Sequence, residues 1–169
     1  MPAYGVHCNV WSKVGNSTII HLAKRSKTID KFPGFYDNLV AGGQPTKISI
    51  KDNLFKEAYE EAGLNRKYMR FATKSRTVHY NHNEINKFNS SVIFIYHLEK
   101  SDGMKFKNLD GEVESFMSLD IKDLHKILEA NKLKPNCIIP IIEFFISKDN
   151  DFISKNAILE LRKLLKFYD

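Results

Sequence analysis

The segment GGQPTKISIKDNLFKEAYEEAGL, from Gly42 to Leu64, is the most informative stretch of the chain. Its first half is a glycine-rich loop, and Ser49 followed by Asp52 has the spacing of a helix-capping box. The pattern predicts a helix from about Ile50 to Ala62, and Gly63 supplies the left-handed residue that commonly ends a helix.

Three carboxylates of this predicted helix fall on one face. Glu57, Glu60 and Glu61 stand at positions i, i+3 and i+4, so their side chains converge. Carboxylates packed together repel one another unless a cation neutralises them. Oxygen ligands at this density suit a hard divalent ion that meets substrate phosphates, which means Mg²⁺ or Mn²⁺. The alternative to a metal site is that these glutamates form a solvated face of the helix.

The composition of the whole chain narrows the class of protein. Its length of 169 residues fits one domain, residues 1–169, with a core of its own. The formal net charge of +6 raises the question of nucleic acid, but most lysines alternate with acidic residues and asparagine, which favours a solvated surface. No apolar run reaches membrane-spanning length, and the N-terminus shows no signal pattern. We therefore expect a cytoplasmic protein that contacts neither membrane nor nucleic acid.

Periodicity and turn residues predict the other elements of secondary structure. Strands are predicted over 6–11, 18–23, 37–41, 69–80, 90–98 and 111–119, with a polar loop over 81–89. Helices are predicted over 121–130, 135–147 and 154–167, the first of them capped by Asp120. Strands on both sides of one central helix, with further helices late in the chain, predict an α/β (α+β) fold with a mixed sheet between helices.

The glutamate helix and its loop resemble the Nudix box, in which a glycine and a loop precede Arg-Glu-apolar-x-Glu-Glu-x-Gly-apolar. The residues that fit the box are Glu57, Glu60, Glu61, Gly63 and Leu64. Lys56 replaces the arginine, and Ile48 stands where the box expects an acid. Because that acid commonly pairs with the arginine, we interpret the two changes as the replacement of a whole ion pair. The resemblance implies a Nudix α/β/α sandwich, with its loop-helix-loop box at 42–64, and a metal-dependent pyrophosphohydrolase.

Further segments outside the box resemble the thiamin pyrophosphokinase-related branch of Nudix proteins. They are Gly5-Val6-His7, Arg25-Ser26, Pro33-Gly34, the run DNLVAGGQP from Asp37 to Pro45, Asp110-Gly111-Glu112 and Lys134-Pro135-Asn136-Cys137. The branch usually has a glycine where this chain has Lys47. Many members carry an additional N-terminal domain, so we expect any substrate contact from such a domain to be absent here. The resemblance implies hydrolysis of thiamin diphosphate, or of its oxidised derivatives, to the monophosphate.

The resemblance also implies roles for individual residues. Glu57, Glu60 and Glu61 would hold the metal and take part in catalysis, and Gly42 would let the backbone approach the metal and the phosphates. Glu112 is the rival of Glu60 as the general base, unless it is a solvated charge.

Six residues are predicted to contact the substrate: His7, Asn9, Arg25, Lys27, Gly43 and Gln44. His7 and Asn9 share one face of the first strand, and core packing is the alternative for both. Arg25 and Lys27 could bind a terminal phosphate, and a surface role is the alternative for each.

Three other functions share the Nudix fold. Isopentenyl diphosphate isomerase needs a cysteine and a histidine just before the glutamate helix, where this chain has Val40, Ala41 and Gly43. Hydrolases of ADP-ribose, NADH or oxidised nucleotides would keep the same glutamates and differ in the pocket. A ligand-binding module without catalysis would usually have lost the glutamate cluster. The expected partner is a small-molecule diphosphate, and since Nudix proteins often dimerise a homodimer is included in the prediction.

Overall fold

The computed structural model describes residues 2–84, 87–148, 154, 156, 159, 167 and 168. The strands are β1 Ala3–Val14, β2 Ser17–Arg25, β3 Tyr36–Asn38, β4 Val40–Gly43, β5 Thr73–Glu84, β6 Lys87–Glu99, β7 Val113–Leu119 and β8 Phe167–Tyr168. The helices are α1 Ile50–Ala62, α2 Arg66–Met69, α3 Ile121–Glu129 and α4 Pro135–Ser147. Within this described part of the chain, each helix is too short or too polar to cross a membrane.

The eight strands form one mixed sheet. Its main path runs β3-β2-β1-β6-β5-β8, while β4 pairs with β1 and β7 pairs with β2. β1 and β6 run parallel, and the other pairs are antiparallel. The N-terminal half of β1 therefore lies between β4 and β6, which brings the glycine-rich loop to the centre of the sheet.

Alternation along β1 divides the core into two layers. Val6, Cys8 and Val10 point to one face, where they pack with α1, and Trp11 points to the other, where it packs with α3 and α4. The sheet thus lies between α1 on one side and α3 with α4 on the other. The predicted sandwich with a mixed sheet is confirmed.

The ends of α1 lie where the sequence predicts them. The Ser49 hydroxyl accepts a hydrogen bond from the Asp52 backbone N–H at 3.0 Å, as expected of an N-cap. Gly63 has a φ of 66° and donates its N–H to the Tyr59 carbonyl at 2.9 Å. These caps fix the position of α1 along its axis, and with it the direction of each glutamate.

Several predicted elements differ from the structure. The predicted loop over 81–89 is wrong, because Asn81–Glu84 and Lys87–Ser90 pair as continuations of β5 and β6. Backbone hydrogen bonding between neighbouring strands overrides the polar composition that argued for a loop. The start of the strand predicted over 69–80 is also wrong, since Arg66–Met69 forms α2 and β5 begins at Thr73. The strand predicted over 37–41 is two short strands, β3 and β4.

The helix predicted over 154–167 lies largely outside the described residues. Its last predicted residue, Phe167, belongs instead to β8, which pairs with Thr77 and Val78 of β5. The helices predicted to follow Asp120 and to run from Pro135 to Ser147 are confirmed as α3 and α4.

Lys47, at the tip of the loop before α1, generates the first prediction. It has a φ of 69°, a left-handed conformation that costs a residue with a Cβ about 1–2 kcal/mol. We expect Lys47→Gly to raise the free energy of unfolding by about 0.5–1 kcal/mol, because the relief of strain exceeds the entropy that glycine adds to the unfolded chain. Urea denaturation measures the change.

The neighbouring exposed Thr46 provides the control, since its φ is not positive. Thr46→Gly should lower stability slightly through the unfolded state alone. Equal destabilisation by both substitutions would show that Lys47 carries no strain.

Candidate active site

The glutamates of α1 differ in exposure although they lie on neighbouring faces of the helix. The buried stripe Leu54, Ala58 and Ala62 packs α1 onto the sheet. This packing buries Glu61, of whose surface only 7% is exposed. The side chain of Glu57 is 15% exposed. The Glu60 side chain is 40% exposed.

Glu61 is a buried acid held by the backbone of β4. Its Oε2 accepts a hydrogen bond from the Ala41 N–H at 2.8 Å, and the described residues provide it no cation at ion-pair distance. Burial raises the pKa of Glu61 well above its usual range, and the charge of Asp37 raises it further. A carboxylate in this state gains by binding a cation, because the cation removes the cost of ionising it.

Glu57 packs directly on Gly42 of β4. A Cβ built on Gly42 would lie 2.2 Å from the Glu57 carboxyl carbon, so the glycine provides the space that this side chain occupies. Burial raises the pKa of Glu57, against the opposing charge of Lys56, and Glu60 and Glu112 raise it further. The structure thus brings Glu57 and Glu61 together along β4, and it brings Glu112 near enough to act on Glu57.

Lys56 neutralises part of the glutamate cluster. Its Nζ lies 2.6 Å from Glu60 Oε2 and 3.3 Å from Glu57 Oε1. Ile48 and Lys56 line the same surface groove, and the apolar Ile48 offers the ammonium no partner there. The pairing of Lys56 with glutamates agrees with our interpretation that the acid–arginine pair of the box has been replaced.

The donor set fits a hard divalent ion, with Glu57 and Glu61 as the better placed ligands. Both carboxylates offer only oxygen atoms, both have raised pKa values, and Gly42 leaves space beside them. Glu60 is turned towards Lys56, and the three carboxylates are not gathered within 4.8 Å of one another. Gly42 lies in β4 against Glu57, while its predicted role as a metal ligand stays a prediction.

A second group of potential ligands has a structural explanation. His7, Asp37 and Cys137 offer atoms within 4.8 Å of one another, and all three are buried. However, Asp37 Oδ2 already lies 2.7 Å from Lys134 Nζ and 2.9 Å from an Arg25 guanidinium nitrogen. Burial raises the pKa of Cys137 far above its usual value, so its sulfur stays a thiol that donates to Asp37 Oδ1 at 2.6 Å. Two cations and a thiol proton satisfy Asp37 without a metal.

In the described part of the structure, the two predicted phosphate-binding cations form no ion pair with the glutamates of α1. Arg25 is committed to Asp37 and also donates its Nε–H to the Lys31 carbonyl at 3.1 Å. Lys27 is exposed beyond the end of β2. The structure therefore places Arg25 in a mostly buried ion pair, which the surface alternative did not predict, and agrees with the surface alternative for Lys27. Contact with substrate stays a prediction for both residues.

His7 and Asn9 lie on the α4 side of the sheet, opposite the glutamates. Both are almost fully buried, with 3% and 1% of their surfaces exposed. Asn9 is held inside the fold by the Pro140 carbonyl, which accepts from its Nδ2 at 2.7 Å, so the core alternative describes Asn9. His7 instead lines a cavity, so contact with the substrate stays a prediction for His7.

The cavity has a volume of about 150 Å³ and lies across β4 from the glutamates. Its walls include His7, the backbone of Ala41, Gly42 and Gly43, and side chains from the start of α4 and from β5: Lys134, Asn136 and Tyr80. A Cβ on Gly43 would meet no atom within 4 Å, so an open edge lies beside the glycines.

Gln44 closes the loop that follows the glycines. Its side-chain amide donates to the Ile48 carbonyl at 2.8 Å, and its backbone N–H donates to the Tyr4 carbonyl at 2.8 Å. Gly43 contributes through its backbone, since its carbonyl accepts from Asn53 Nδ2 at 2.9 Å. Gly43 lines the cavity and Gln44 follows it in the chain, and direct contact with substrate stays a prediction for both.

Glu112 lies on the loop before β7, whereas Glu114 lies within β7. Glu114 is paired with Lys24 at 2.8 Å, whereas Glu112 is exposed and acts electrostatically on Glu57. Asn108 Oδ1 accepts the Gly111 backbone N–H at 3.1 Å, which shapes the loop. Glu112 therefore remains a candidate base.

Sequence reasoning assigned no site role to Asp37, Lys134 or Asn136. Asp37 and Lys134 form a buried ion pair that links β3 to the start of α4, and Asn136 lines the cavity. The signal available was their position in segments that resemble the family, because nothing in the spacing of 37 and 134 shows that they meet.

The contact between Glu57 and Gly42 generates a prediction about metal affinity. Gly42→Ala should displace the Glu57 carboxylate while the fold persists, because the clash falls on the end of a flexible side chain. We expect affinity for Mn²⁺, measured by calorimetry, to fall about tenfold or more.

Gly43→Ala is the matched control, since a Cβ there has open space. It should leave the affinity unchanged. A Gly42→Ala protein that binds Mn²⁺ as tightly as the parent would show that Glu57 is no ligand.

The raised pKa of Glu61 predicts how stability depends on pH in the metal-free protein. Above the ordinary value of 4.5 the unfolded chain has released this proton while the folded protein still holds it. Stability should therefore fall as pH rises through that window and stay reduced above the folded pKa. Glu61→Gln keeps an acceptor for the Ala41 N–H and carries no charge, so it should gain stability over the parent as pH rises.

Urea denaturation in EDTA from pH 4.5 to 8 measures the difference. Glu60→Gln, at a more exposed position, should give a curve parallel to that of the parent. A parallel curve for Glu61→Gln as well would contradict the raised pKa.

Comparison with known proteins finds relatives at the level of sequence. No protein-family model matches the chain. It is 37% identical over 142 residues to Nudix hydrolase 20, chloroplastic, of Arabidopsis thaliana, and the aligned region covers 83% of this chain and 38% of that protein. It is 32% identical over 145 residues to Nudix hydrolase 24, chloroplastic, of the same plant, with 85% and 40% covered. The chain thus spans about two fifths of the length of these curated relatives.

Solved structures share the fold at low sequence identity. The MutT protein from Methanosarcina mazei Go1 matches with a TM-score of 0.61 at 17% identity, over 89% of this chain and 97% of that chain. The NUDIX domain of Shewanella oneidensis NrtR complexed with ADP ribose matches with a TM-score of 0.59 at 14% identity, over 75% and 77%. A bifunctional NMN adenylyltransferase/ADP ribose pyrophosphatase from Francisella tularensis, complexed with AMP and a Mn ion, matches with a TM-score of 0.62 at 11% identity, over 89% and 42%.

The box glutamates on α1, the mixed sheet between helices and the named sequence relatives agree with one another. The chain belongs to the Nudix hydrolase superfamily.

Proposed function

We propose that this protein is a divalent-metal-dependent hydrolase that cleaves the diphosphate linkage of a small molecule. The observation that carries the proposal is the placement of Glu57 and Glu61 against the backbone of β4. There a buried acid and a half-buried acid, both with raised pKa values, lie one helical turn apart, and the described residues place no cation at ion-pair distance from Glu61. Such a pair is costly to maintain unless it binds a cation.

When bound, Mg²⁺ or Mn²⁺ would neutralise charge on the phosphate oxygens and lower the pKa of the attacking water. Glu57 and Glu61 would hold the ion, the first positioned by Gly42 and the second by the Ala41 N–H. Glycine backbone in β4 lets phosphate groups approach closely. The positive net charge of +6 favours an anionic substrate at long range.

Two glutamates are candidates for the general base. Glu60 is held by Lys56, whereas Glu112 stands on a loop near Glu57. Replacing the base should lower kcat by about 10²–10⁴-fold with little change in KM. Glu60→Gln and Glu112→Gln, measured separately, distinguish the two.

Thiamin diphosphate, or an oxidised derivative of it, is the substrate that we propose. Support comes from the segments that resemble the thiamin pyrophosphokinase-related branch, above all the run from Asp37 to Pro45. That run includes β4, and its residues Ala41, Gly42 and Gly43 form the wall between the cavity and the glutamates.

A nucleoside diphosphate derivative is the second candidate. One structural neighbour is a Nudix domain complexed with ADP ribose, and another is an Ap4A hydrolase from C. elegans. The proposed metal chemistry would serve either substrate. The two substrates differ in the ring that the cavity on the far side of β4 would have to accept. The expected homodimer and cytoplasmic location stay predictions.

The first experiment is product release with Mg²⁺ or Mn²⁺ on a panel of diphosphates: thiamin diphosphate, oxothiamin diphosphate, ADP-ribose, NADH, 8-oxo-dGTP and isopentenyl diphosphate. We expect monophosphate from a thiamin compound, abolished by EDTA and reduced about 100-fold or more in Glu61→Gln. A folded Glu61→Gln protein with full turnover would contradict the metal-site assignment.

Other outcomes of the panel would change the proposal in defined ways. Preference for a nucleotide keeps the metal chemistry and replaces the substrate. Ligand binding without any metal-dependent hydrolysis would establish a binding module instead of an enzyme.

A further inference from the structure

The cavity beside β4 has the size of one small ring. A cavity of about 150 Å³ accommodates a benzene-sized molecule. Two aromatic side chains, Tyr4 and Tyr80, contribute to its walls, and such side chains favour a flat partner. The cavity therefore fits the ring of a substrate better than its diphosphate.

A chain of buried hydrogen bonds leads from α4 to this cavity. The Pro140 carbonyl can only accept, so the Asn9 atom 2.7 Å from it is the donor Nδ2. Asn9 Oδ1 then accepts from Asn38 Nδ2 at 2.9 Å. Asn38 Oδ1 is left to accept from His7 Nδ1, which lies 2.8 Å away. One backbone carbonyl thus sets the direction of every hydrogen bond in the chain.

This direction determines the tautomer of His7. Nδ1 must carry a proton in order to donate to Asn38, and burial lowers the pKa of His7, which favours the neutral ring. The neutral ring carries its lone pair on Nε2. Nε2 and Cδ2 lie on the edge of the ring nearest Gly5, which also lines the cavity. Within the described residues, Nε2 has no hydrogen-bond partner, and it is not among the fully buried unpaired atoms, so it is accessible from the cavity although only 3% of the surface of His7 is exposed.

We propose that His7 Nε2 is a specificity-determining acceptor that selects a substrate ring bearing an N–H donor, such as the exocyclic amine of an aminopyrimidine or of adenine. The proposal rests on the proposed function, because the ring belongs to the diphosphate that the glutamates would bind. An acceptor that a bound ring covers favours a ligand that can donate to it and disfavours one that leaves it unpaired.

The same acceptor orients the substrate. Its lone pair repels phosphate oxygens, and the nearby Lys134 ammonium is already paired with Asp37 at 2.7 Å. The cavity therefore takes the ring, and the diphosphate extends past the open edge at Gly43 towards Glu57. The backbone of β4 separates the part of the site that recognises the ring from the part that would cleave.

The first test measures the tautomer directly in the free protein. Long-range ¹H–¹⁵N NMR at pH 7.5 distinguishes a protonated from an unprotonated ring nitrogen, and loss of a spin system in His7→Gln identifies the residue. We expect a proton on Nδ1 and none on Nε2. A proton on Nε2 would overturn the proposal, whether or not Nδ1 also carries one.

The second test measures ligand discrimination without catalysis. Calorimetry in EDTA would compare thiamin diphosphate with its analogue that has hydrogen in place of the ring amine, and ADP-ribose with its 6-desamino analogue. For one of the two pairs we expect the amine to strengthen binding about tenfold or more, and in His7→Phe that ratio should fall to about one. The pair that discriminates identifies the ring.

His21→Gln is the matched control, because His21 is a buried histidine that does not line the cavity. It should keep the ratio of the parent. Equal binding of amine and desamino ligands in both pairs, or a ratio unchanged in His7→Phe, would overturn the proposal. If the protein hydrolyses none of the diphosphates but still binds the amine ligand more tightly than its desamino analogue, the proposed function would be contradicted and the role of His7 supported.

Discussion

The contact between α1 and β4 is the constraint on which the candidate site depends. One carboxylate fills the space that a side chain at Gly42 would occupy, and the next accepts the Ala41 N–H one turn later. Neither position is set by the glutamates themselves. The apolar stripe of α1 and its two caps hold the helix at a fixed height and rotation over the sheet. The acids are therefore placed by packing, which supplies the free energy that their partial burial costs.

A buried ion cluster around Asp37 supports this arrangement from the other face. Arg25 of β2 and Lys134 before α4 both contact Asp37, so one carboxylate joins three elements that are distant in sequence. Although burial opposes ionisation of Asp37, the ammonium of Lys134 and the donors around it hold its pKa below its ordinary value. The charge of Asp37 in turn raises the pKa of Glu61 across β4. The structural anion thus adds to the negative potential at the site.

Local patterns predicted what local interactions determine. The capping residues and apolar stripe of α1 settled its ends, and the same holds for α3 after Asp120. The β5–β6 pairing around 81–90 could not be read from composition, because its stability comes from a partner strand and not from its own polar residues. The glutamates were recognisable from spacing, whereas the Asp37–Lys134 pair joins positions 97 apart that only the folded sheet brings together. Likewise, His7 and Asn9 looked equivalent in the sequence, and only their hydrogen bonds show that one is internal and the other faces a cavity.

Lys56 gives part of the glutamate cluster a counter-ion of its own. Its ammonium bridges Glu60 and Glu57, beside the position proposed for the metal. In the proposed site an incoming ion would have to displace this tethered ammonium, so metal binding would be a displacement equilibrium. An ion that arrived together with a phosphate group would bring additional ligands and would displace the ammonium more readily than an ion alone. In that site the lysine would tie metal loading to the presence of substrate.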